Sequence, residues 1–554
     1  MKRIVSFFLA VSMLFILTAC SNGENTHPTD TQPTEEQAMD TTGKYPLDES
    51  RNEAILGGVG TAASGIYGNA RVYYHIFVGS FSDSNGDGIG DLRGIIDRFD
   101  YLNDGDPDSG VSLGVEGIWL SPIFVSSSYH KYDTSNYYKI DPQFGTEDDL
   151  KQLIALCHER GVQIILDLVI NHTSSSHPWF EEFWSAHRNQ DADSEYYDYY
   201  SWTDSPGSGN TYSAIGSTGH YYECNFSGNM PELNFDNEAV RQAMVEVARY
   251  YLNMGVDGFR FDAAKYIYYN DNEKSVDFWN WYMEQLRAIK PDIYTVAEVW
   301  DGDGVTIPYF SATNCFNFSM SQSSGRIAAA AKGGNVNAFV TYVDQYLKSI
   351  HAENPDAMMV SFLSNHDMDR AAGFLMTATG HAQMAANLSI LLPGSSFIYY
   401  GEEIGMLGSR GGSDTDANRR LAMLWGDGDT VRNPTGATYS AAQSNGTVAD
   451  QLPNGDSLYS HYKKLILIRK ANPEIAYGEL TPLKTSGKYG GFLCSYEGKT
   501  VAVLHNTTTE QVTVDLSELT DAQLTTLAAY VGLGGATLEG SLLTIDAQTS
   551  VVLR

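Results

Sequence analysis

The sequence predicts an α/β fold: a (β/α)8 TIM barrel with a domain inserted after the third strand and a C-terminal antiparallel β-sandwich. Short apolar runs rich in β-branched and aromatic residues recur eight times from residue 71, and helical segments separate most of them. Strands that alternate with helices pair in parallel, and eight such units suggest a closed barrel. After residue 476 apolar and polar positions alternate, which favours a small antiparallel sandwich.

The segments between the predicted strands have a helical pattern. Residues 146–161, TEDDLKQLIALCHERG, place apolar side chains three and four positions apart, as on one face of a helix. The predicted strands lie in RVYYHIFVGSF at 71, GVEGIWLSPIF at 114, GVQIILDLVINH at 161, GVDGFRFDAA at 255, DIYTVAEVW at 292, CFNFSM at 315, AMMVSFLSNHD at 357 and SSFIYYGEEIG at 395.

One connection is much longer than the others. Residues 173–235, between the third and fourth runs, are rich in Ser, Tyr, Asp and Gly, and a loop of this length is usually functional. We therefore predict a first barrel segment at 51–172, an inserted domain at 173–235, a second barrel segment at 236–475 and a sandwich at 476–554.

The N-terminus has the pattern of a secretory signal. Lys2 and Arg3 precede an apolar stretch that ends at Ala19 and is short for a membrane span. The sequence LTAC then resembles a bacterial lipobox, which would make Cys20 the lipidated first residue of the mature chain. The alternative is a cleaved signal followed by an incidental cysteine.

Residues 20–50 are rich in Thr, Pro, Asp and Glu and contain almost no large apolar residue. Such a composition does not support a core and predicts a disordered tether. With a signal peptide at 1–19, we expect a secreted lipoprotein anchored to the surface of a bacterial membrane.

The charge balance argues against nucleic acid as a partner. Lys and Arg total 35 against 68 Asp and Glu, a formal net charge of −33 that would repel phosphate backbones. The remaining cysteines lack metal-ligand spacing, so they are either free and buried or form at most two disulfides: Cys157, Cys224, Cys315 and Cys494. The sequence does not indicate an oligomeric state.

Polar residues gather where the predicted strands end. Active sites of (β/α)8 barrels lie at the carboxyl ends of the strands, so we expect these side chains to face one cleft. They are Asp167, Asn171, His172, Arg260, Asp262, Glu298, His366 and Asp367.

The stretch GFRFDAAKY at 258 carries two of these charges at the end of a buried run. Burying an unpaired charge is costly, but Arg260 and Asp262 are two residues apart on a strand and point to the same face. Arg260 can therefore keep the Asp262 carboxylate ionised and oriented. We expect Asp167 to support the site by pairing with Arg260.

Four of these strand ends resemble, in order, the sequence blocks of the α-amylase family, a group of retaining α-glucan hydrolases and transferases. The blocks are DLVINH at 167, GFRFDAAKY at 258, AEVW at 297 and FLSNHD at 362. MPELN at 230 resembles a fifth block, and GIWLSP at 117 and YYGEEIG at 399 resemble the second and eighth strands. The resemblance covers residues 71–554 and implies the same plan of barrel, inserted domain and sandwich.

The resemblance assigns the three carboxylates distinct roles. Retaining cleavage of a glycosidic bond needs one carboxylate to attack the anomeric carbon and a second to protonate the leaving oxygen. By resemblance, Asp262 is the nucleophile and Glu298 the acid/base, whereas Asp367 binds sugar hydroxyls and distorts the ring. His172 and His366 resemble the histidines that bond the same sugar, and Tyr132 resembles its stacking platform. Asp133 and Arg370 are expected to complete this substrate-binding pocket, with Arg260 beside the nucleophile.

The stretch DSNGDGIGD at 83 has the alternate oxygen spacing of a Ca²⁺ loop. Its ligands would be the side chains of Asp83, Asn85, Asp87 and Asp91, and by resemblance the carbonyl of Ile89. The alternative is an Asp-Gly turn without metal. By resemblance a second Ca²⁺ would use Asn171 and the carbonyl of Tyr266, but family members that bind it usually have His at the latter position.

Substrate choice is less tightly specified. HKYDT at 130 resembles the cyclomaltodextrinase and neopullulanase branch, whereas MPELN is close to a branch that includes secreted α-amylases. The signal and tether favour large external glucans. We expect an α-1,4-glucan hydrolase acting on starch and maltooligosaccharides, with a cyclomaltodextrinase or neopullulanase as the alternative. A non-catalytic glucan-binding surface protein is a third possibility, against which the three carboxylates argue.

Overall fold

The computed structural model describes residues 69–106, 112–376, 378–411, 416–485, 487 and 489–554. The predicted signal peptide, Cys20 and the tether lie outside these residues. Within the described ranges, no helix is both long and apolar enough to cross a membrane.

Eight parallel strands form the barrel, which confirms the predicted fold class. The hydrogen-bonded order is β6-β5-β4-β3-β2-β1-β8-β7, and a parallel bridge between Phe316 and Val360 joins the two ends of this order. The strands are β1 Val72–Ile76, β2 Gly117–Leu120, β3 Gln163–Leu168, β4 Gly258–Phe261, β5 Tyr294–Ala297, β6 Asn314–Cys315, β7 Val360–Phe362 and β8 Ser395–Tyr399.

Aromatic side chains fill much of the barrel interior. Tyr73 of β1 stacks between Tyr294 of β5, 4.8 Å away between ring centroids, and Phe397 of β8, 4.7 Å away. Alternate residues of β1, such as Val72 and Tyr74, pack outward in the larger cluster under the helices. The period of two thus explains why these runs are apolar on both faces.

The helices follow the strands around the barrel. The helix predicted at 146 forms over Glu147–Glu159, and Thr146 and Asp149 cap it reciprocally. The other α-helices of this part are Leu92–Asp97, Phe99–Leu102, Glu238–Met254, Asn272–Ile289, Asp303–Thr306, Arg326–Ala331, Val336–Glu353, Ala371–Leu375, His381–Ile390, Val448–Gln451, Leu458–Ala471 and Pro473–Tyr477.

The long connection after β3 carries its own small structure. Helix Pro178–Asn189 is followed by a three-stranded antiparallel sheet of Trp202–Thr203, Tyr221–Glu223 and Tyr212–Ala214, in that spatial order. A hairpin of Phe124–Ser126 and Thr134–Ile140 follows β2. Both project from the carboxyl ends of barrel strands, where they help to wall the site.

The C-terminal part is an antiparallel sandwich, as predicted. Buried apolar residues of its two sheets, including Leu504, Val514, Leu543 and Val551, form one core cluster. The five-stranded sheet has the order Glu479–Pro482, Tyr489–Tyr496, Lys499–Asn506, Thr549–Leu553 and Leu527–Gly532, and the three-stranded sheet Val512–Asp515, Leu542–Ile545 and Ala536–Glu539. One short helix, Leu516–Leu519, lies between strands.

Four cysteines fall within the described ranges, and all four are free and buried. Of the two alternatives that the sequence left open for Cys157, Cys224, Cys315 and Cys494, the structure shows the first.

Candidate active site

A cleft of about 1200 Å³ opens at the carboxyl ends of the barrel strands. Asp262 follows β4, Glu298 follows β5 and Asp367 follows β7, and all three line this cleft. Its other walls include Tyr132, His172, Phe226, Lys265, Tyr266, Trp300, Gln322, Asp369, Arg370, Phe374, Arg410, Arg419, Arg420 and Tyr439.

Arg260 lies beneath the cleft and holds three carboxylates together. Its side chain is 1% exposed. Nη1 lies 2.8 Å from Asp167 Oδ1 and 2.7 Å from Asp262 Oδ1, and Nη2 donates to Glu298 Oε2. One guanidinium therefore brings the proposed nucleophile and the proposed acid/base to the same point, as a retaining pair requires.

The opposite charges in this cluster offset the cost of burying each of them. Burial disfavours the cationic form of Arg260, but Asp167, Tyr132 and Asp262 outweigh it and raise its pKa above the usual value. Burial also raises the pKa of Asp167, against the pull of Arg260. Asp167 accepts a hydrogen bond from the Tyr132 hydroxyl at 2.9 Å and does not line the cleft. It supports the site, as the sequence predicted.

Asp367 is held by a second arginine, which the sequence interpretation missed. Arg420 Nη2 lies 2.7 Å from Asp367 Oδ1, and His366 Nε2 lies 3.0 Å from Asp367 Oδ2. Arg420 also donates from Nε to the carbonyl of His366 at 3.0 Å. Burial favours neutral Asp367, but His366 and Arg420 outweigh it and hold the pKa of this carboxyl well below its usual value.

Removing the Arg420 charge is expected to move the acid limb of the pH–activity profile to higher pH. The pKa of Asp367 is depressed in the folded protein, so its carboxylate is charged at lower pH than usual, and Arg420→Leu should reverse part of this shift. We also expect kcat/KM to fall roughly 10- to 100-fold, the effect of losing a charged hydrogen bond.

The measurement is kcat/KM for a maltooligosaccharide across the pH range. Arg420→Lys keeps the charge but loses the planar fork, so its acid limb should lie between those of the wild type and Arg420→Leu. An unchanged acid limb in Arg420→Leu would show that Arg420 does not control the ionisation of Asp367.

Tyr132 is fixed by a strained turn. Lys131 has φ +67°, an uncommon conformation for a residue with a side chain. Its buried ammonium lies 2.8 Å from Asp141 Oδ2 and donates to Gln143 Oε1 at 2.8 Å. The turn sets the Tyr132 ring parallel to His366, with ring centroids 5.2 Å apart. Lys131 thus acts as a positioning residue for the expected sugar platform.

The structure brings only some of the other expected sugar contacts to the cleft. His172 lines it, with Nε2 3.2 Å from the carbonyl of Tyr132. His366 does not line it and instead contacts Tyr132 and Asp367 from behind. Arg370 lies at its base, 1% exposed, and donates to the carbonyl of Tyr400 at 2.6 Å.

Asp133 does not line the cleft either. Its carboxylate is buried and accepts hydrogen bonds from the hydroxyls of Ser126, Ser127 and Ser128. The side chain therefore braces its own loop, and no sugar contact of Asp133 follows from this geometry. Sequence spacing did not reveal the three serines as its partners.

Two exposed aromatic side chains in the cleft were also missed. Phe226, on the inserted segment, is 45% exposed and lies 4.6 Å from Tyr266 between ring centroids. Trp300 is 38% exposed and stacks on Phe318. Both rings offer apolar faces beside the carboxylates. Trp300 follows Glu298 by two positions, so the sequence did contain a signal for it.

Side chains of the loop at 83–91 accept hydrogen bonds from backbone amides of the same loop. Asp83 Oδ1 accepts from the amide of Gly86 at 2.8 Å, Asn85 Oδ1 from Asp87 N at 3.0 Å and Asp87 Oδ1 from Ile89 N at 2.8 Å. Asp91 caps helix Leu92–Asp97 through Gly94 N. No group of three or more His, Cys, Asp or Glu side chains that could hold a metal ion is found among the described residues.

For the second expected Ca²⁺, the structure shows Asn171 engaged with protein groups. It bonds the buried Glu232 of the MPELN segment and lies 3.4 Å from His172. Burial raises the pKa of Glu232 to about 8, and the nearby Glu223 adds to this shift.

A barrel with paired carboxylates on one guanidinium at its carboxyl mouth is the framework of a glycoside hydrolase. The model of the α-amylase catalytic domain matches residues 75–478. "Alpha-amylase 3" of Dictyoglomus thermophilum is 36% identical over 446 residues, which cover 79% of this chain and 85% of that protein. The chain therefore belongs to the α-amylase family and is a glycoside hydrolase.

Solved structures and other relatives agree on the family and differ in the reaction named. Amy13B of Eubacterium rectale superposes with a TM-score of 0.82 at 32% identity, covering 91% of this chain and 98% of that chain. A cyclomaltodextrinase of Thermoanaerobacter pseudethanolicus is 30% identical and covers 78% of this chain and 66% of that protein. Other matching relatives are named 4-alpha-glucanotransferase and trehalose synthase/amylase.

Proposed function

We propose that this family member hydrolyses α-1,4-glucosidic bonds of starch and maltooligosaccharides with retention of configuration. The observation that supports this most is the contact of Asp262 and Glu298 with one buried arginine, beside Asp367 in the same cleft. The relative named alpha-amylase, at 36% identity, supports the choice of substrate.

The proposed mechanism uses the two carboxylates in turn. The Asp262 carboxylate attacks the anomeric carbon while the bond to the leaving oxygen breaks and Glu298 gives that oxygen its proton. Ionised Glu298 then takes a proton from water, which attacks the same carbon and releases Asp262. Arg260 orients both carboxylates throughout, and Asp367 accepts hydrogen bonds from sugar hydroxyls.

A cyclomaltodextrinase is the second candidate, supported by the HKYDT motif and by the relative of that name. Initial rates on soluble starch, pullulan and β-cyclodextrin decide between them. An α-amylase should cleave starch fastest, with a rapid loss of iodine colour, whereas a preference for β-cyclodextrin would overturn the proposal. Binding of starch without any release of reducing ends would favour the non-catalytic alternative.

We further propose that the loop at 83–91 binds Ca²⁺. Carboxylate, amide and carbonyl oxygens are the ligands that this hard cation prefers. Gly86 and Gly88 have φ +84° and +93°, conformations that let the loop wrap tightly. The cation would need Asn85 and the Ile89 carbonyl beside Asp83, Asp87 and Asp91. Its role would be to stabilise the loop, and no step of the chemistry runs through it.

This proposal predicts a Ca²⁺-dependent melting temperature. A cation that binds only the folded chain stabilises it by linkage, and losing one carboxylate ligand removes much of the affinity. Asp87→Ala should lower the melting temperature in Ca²⁺ and make it insensitive to chelator. If chelator leaves the wild-type melting curve unchanged, the loop is an Asp-Gly turn without metal.

The lipid anchor at Cys20 remains a proposal from the sequence. It predicts that the full-length protein fractionates with bacterial membranes and that Cys20→Ala releases it or blocks its processing. An anchor with two or more acyl chains is enough for stable attachment. Membrane association that Cys20→Ala does not change would contradict the anchor, whereas release of the wild-type protein into the medium would indicate a cleaved signal.

A further inference from the structure

The turn of the hairpin after β2 contacts an arginine that holds Asp367. This turn, residues 127–133, joins the two strands of the hairpin. The hydroxyl of Tyr129 in the turn accepts a hydrogen bond from Arg420 Nη1 at 2.9 Å. Tyr129 is half-buried and does not line the cleft. Its hydroxyl can therefore affect a bound sugar only through another residue.

All three nitrogens of the Arg420 guanidinium donate to a partner. Nε donates to the carbonyl of His366 at 3.0 Å, Nη2 to Asp367 Oδ1 at 2.7 Å and Nη1 to the Tyr129 hydroxyl. The guanidinium is planar and rigid, so an acceptor that fixes Nη1 also fixes the direction in which Nη2 points. Without this acceptor, the plane of the group is free to tilt away from Asp367.

The rest of the arginine is fixed by other contacts. Arg420 is 5% exposed, and its carbonyl accepts a hydrogen bond from Ser80 Oγ at 2.7 Å. The rings of Phe77 and Tyr129 lie 5.5 and 5.7 Å from Arg420 Cζ. Tyr129→Phe keeps this ring contact and removes only the hydroxyl. The variant therefore isolates the hydrogen bond to Nη1.

The turn that carries Tyr129 is braced from within. Burial disfavours the charge of Asp133, but hydrogen bonds from serine hydroxyls outweigh it and lower the pKa of this carboxyl. The donors lie at the start of the turn and just before it: Ser126, Ser127 and Ser128. Asp133 thus ties the two ends of the turn together. A turn closed in this way holds Tyr129 at a fixed place beside Arg420.

We propose that Tyr129 is a positioning residue for Asp367 and that it acts through Arg420. Its hydroxyl holds the guanidinium in the plane from which Nη2 donates to Asp367, and so keeps this carboxylate ionised and in place. The proposal rests on the proposed glucan hydrolase, in which Asp367 binds sugar hydroxyls. Tyr129 serves the reaction without touching the substrate.

Other titratable groups face Asp367 and Arg420, and the test has to separate Tyr129 from them. Arg260 and His366 favour the carboxylate of Asp367, as Arg420 does. The remaining groups near this pair or in the same cleft are Tyr132, Tyr399, Asp262, Glu298, and Arg419 with its partners Asp369 and Asp416. All of them are retained in Tyr129→Phe.

The test is a double-mutant cycle of Tyr129→Phe and Arg420→Leu, with kcat/KM for maltotetraose measured across the pH range. Tyr129→Phe should lower kcat/KM about three- to tenfold, the effect of losing one hydrogen bond. The pKa of Asp367 is depressed in the folded protein, so weaker support from Arg420 raises it and moves the acid limb to higher pH. This shift should be smaller than that of Arg420→Leu.

The double variant shows whether the effect passes through the arginine. In the Arg420→Leu background, Tyr129→Phe should change kcat/KM by less than about twofold and leave the acid limb where it is, since two residues that act through one contact are not additive. Arg420→Met provides a second background in case Arg420→Leu does not fold. Tyr138→Phe, which removes a hydroxyl from an exposed tyrosine of the same hairpin, should have no effect.

Two results would overturn the role of Tyr129. One is an acid limb that Tyr129→Phe does not move, and the other is an equal loss of kcat/KM in the wild-type and Arg420→Leu backgrounds. Failure of the wild type to cleave maltotetraose would instead overturn the proposed function. The same cycle measured on β-cyclodextrin, the substrate of the alternative, would then decide the role of Tyr129.

Discussion

Replacing Asp262 by Asn is expected to lower the turnover of maltooligosaccharides by about four orders of magnitude or more, the scale seen when one member of a catalytic unit is removed. The amide is nearly isosteric but has no nucleophilic oxygen with a full charge. The Arg260 side chain keeps its ion pairs with Asp167 and Glu298, so the variant should still fold. Steady-state rates and a melting curve measure both effects.

Asp369→Asn is a matched control. Asp369 also lines the cleft, but it is exposed and its carboxylate is paired with Arg419 at 2.9 Å. The proposed mechanism gives it no part in bond cleavage, so turnover should fall by less than about tenfold, as for loss of a surface ion pair. Equal losses in Asp262→Asn and Asp369→Asn would show that Asp262 has no special role.

Replacing Glu298 by Gln is expected to have an effect that depends on the leaving group. General acid catalysis contributes about 10²- to 10⁴-fold, so natural glucans should be cleaved slower by at least this factor. A glycosyl fluoride needs little protonation of its leaving group, and its first step should be slowed far less. Adding azide, which attacks without base assistance, should restore turnover of the fluoride by a second route.

The measurement is the ratio of rates on maltotetraose and maltosyl fluoride for the wild type and the variant. If Glu298 is the acid/base, Glu298→Gln shifts this ratio strongly toward the fluoride. An equal loss of rate on both substrates would mean that Glu298 does not protonate the leaving group. Its only role would then be to hold Arg260 through the contact with Nη2.

Much of the fold followed from the sequence because barrel strands are short, buried and regularly spaced. Even β6, which is only Asn314–Cys315, overlaps the start of a run predicted from Cys315, since the aromatic residues after it still face the barrel interior. The pairing of Arg260 with Asp167 and Asp262 was also predictable. Side chains two residues apart on a strand point to the same face, and a buried arginine needs a carboxylate partner.

The missed features depend on contacts between distant segments. Arg420 reaches Asp367 across fifty-three positions of sequence, and no local pattern links them. Asp133 was assigned to the sugar by resemblance, yet three serines from its own loop surround it. The packing of His366 behind Tyr132 likewise becomes visible only when the hairpin after β2 and the end of β7 meet in space.

The stereochemical course of hydrolysis tests the central assignment most directly. Attack by Asp262 and then by water inverts the anomeric carbon twice, so the product first released has the α configuration. Proton NMR during the first minutes of maltotetraose cleavage should show the α-anomeric signal rising before mutarotation produces the β signal. Initial release of the β anomer would mean a single displacement by water, and would contradict Asp262 as the nucleophile.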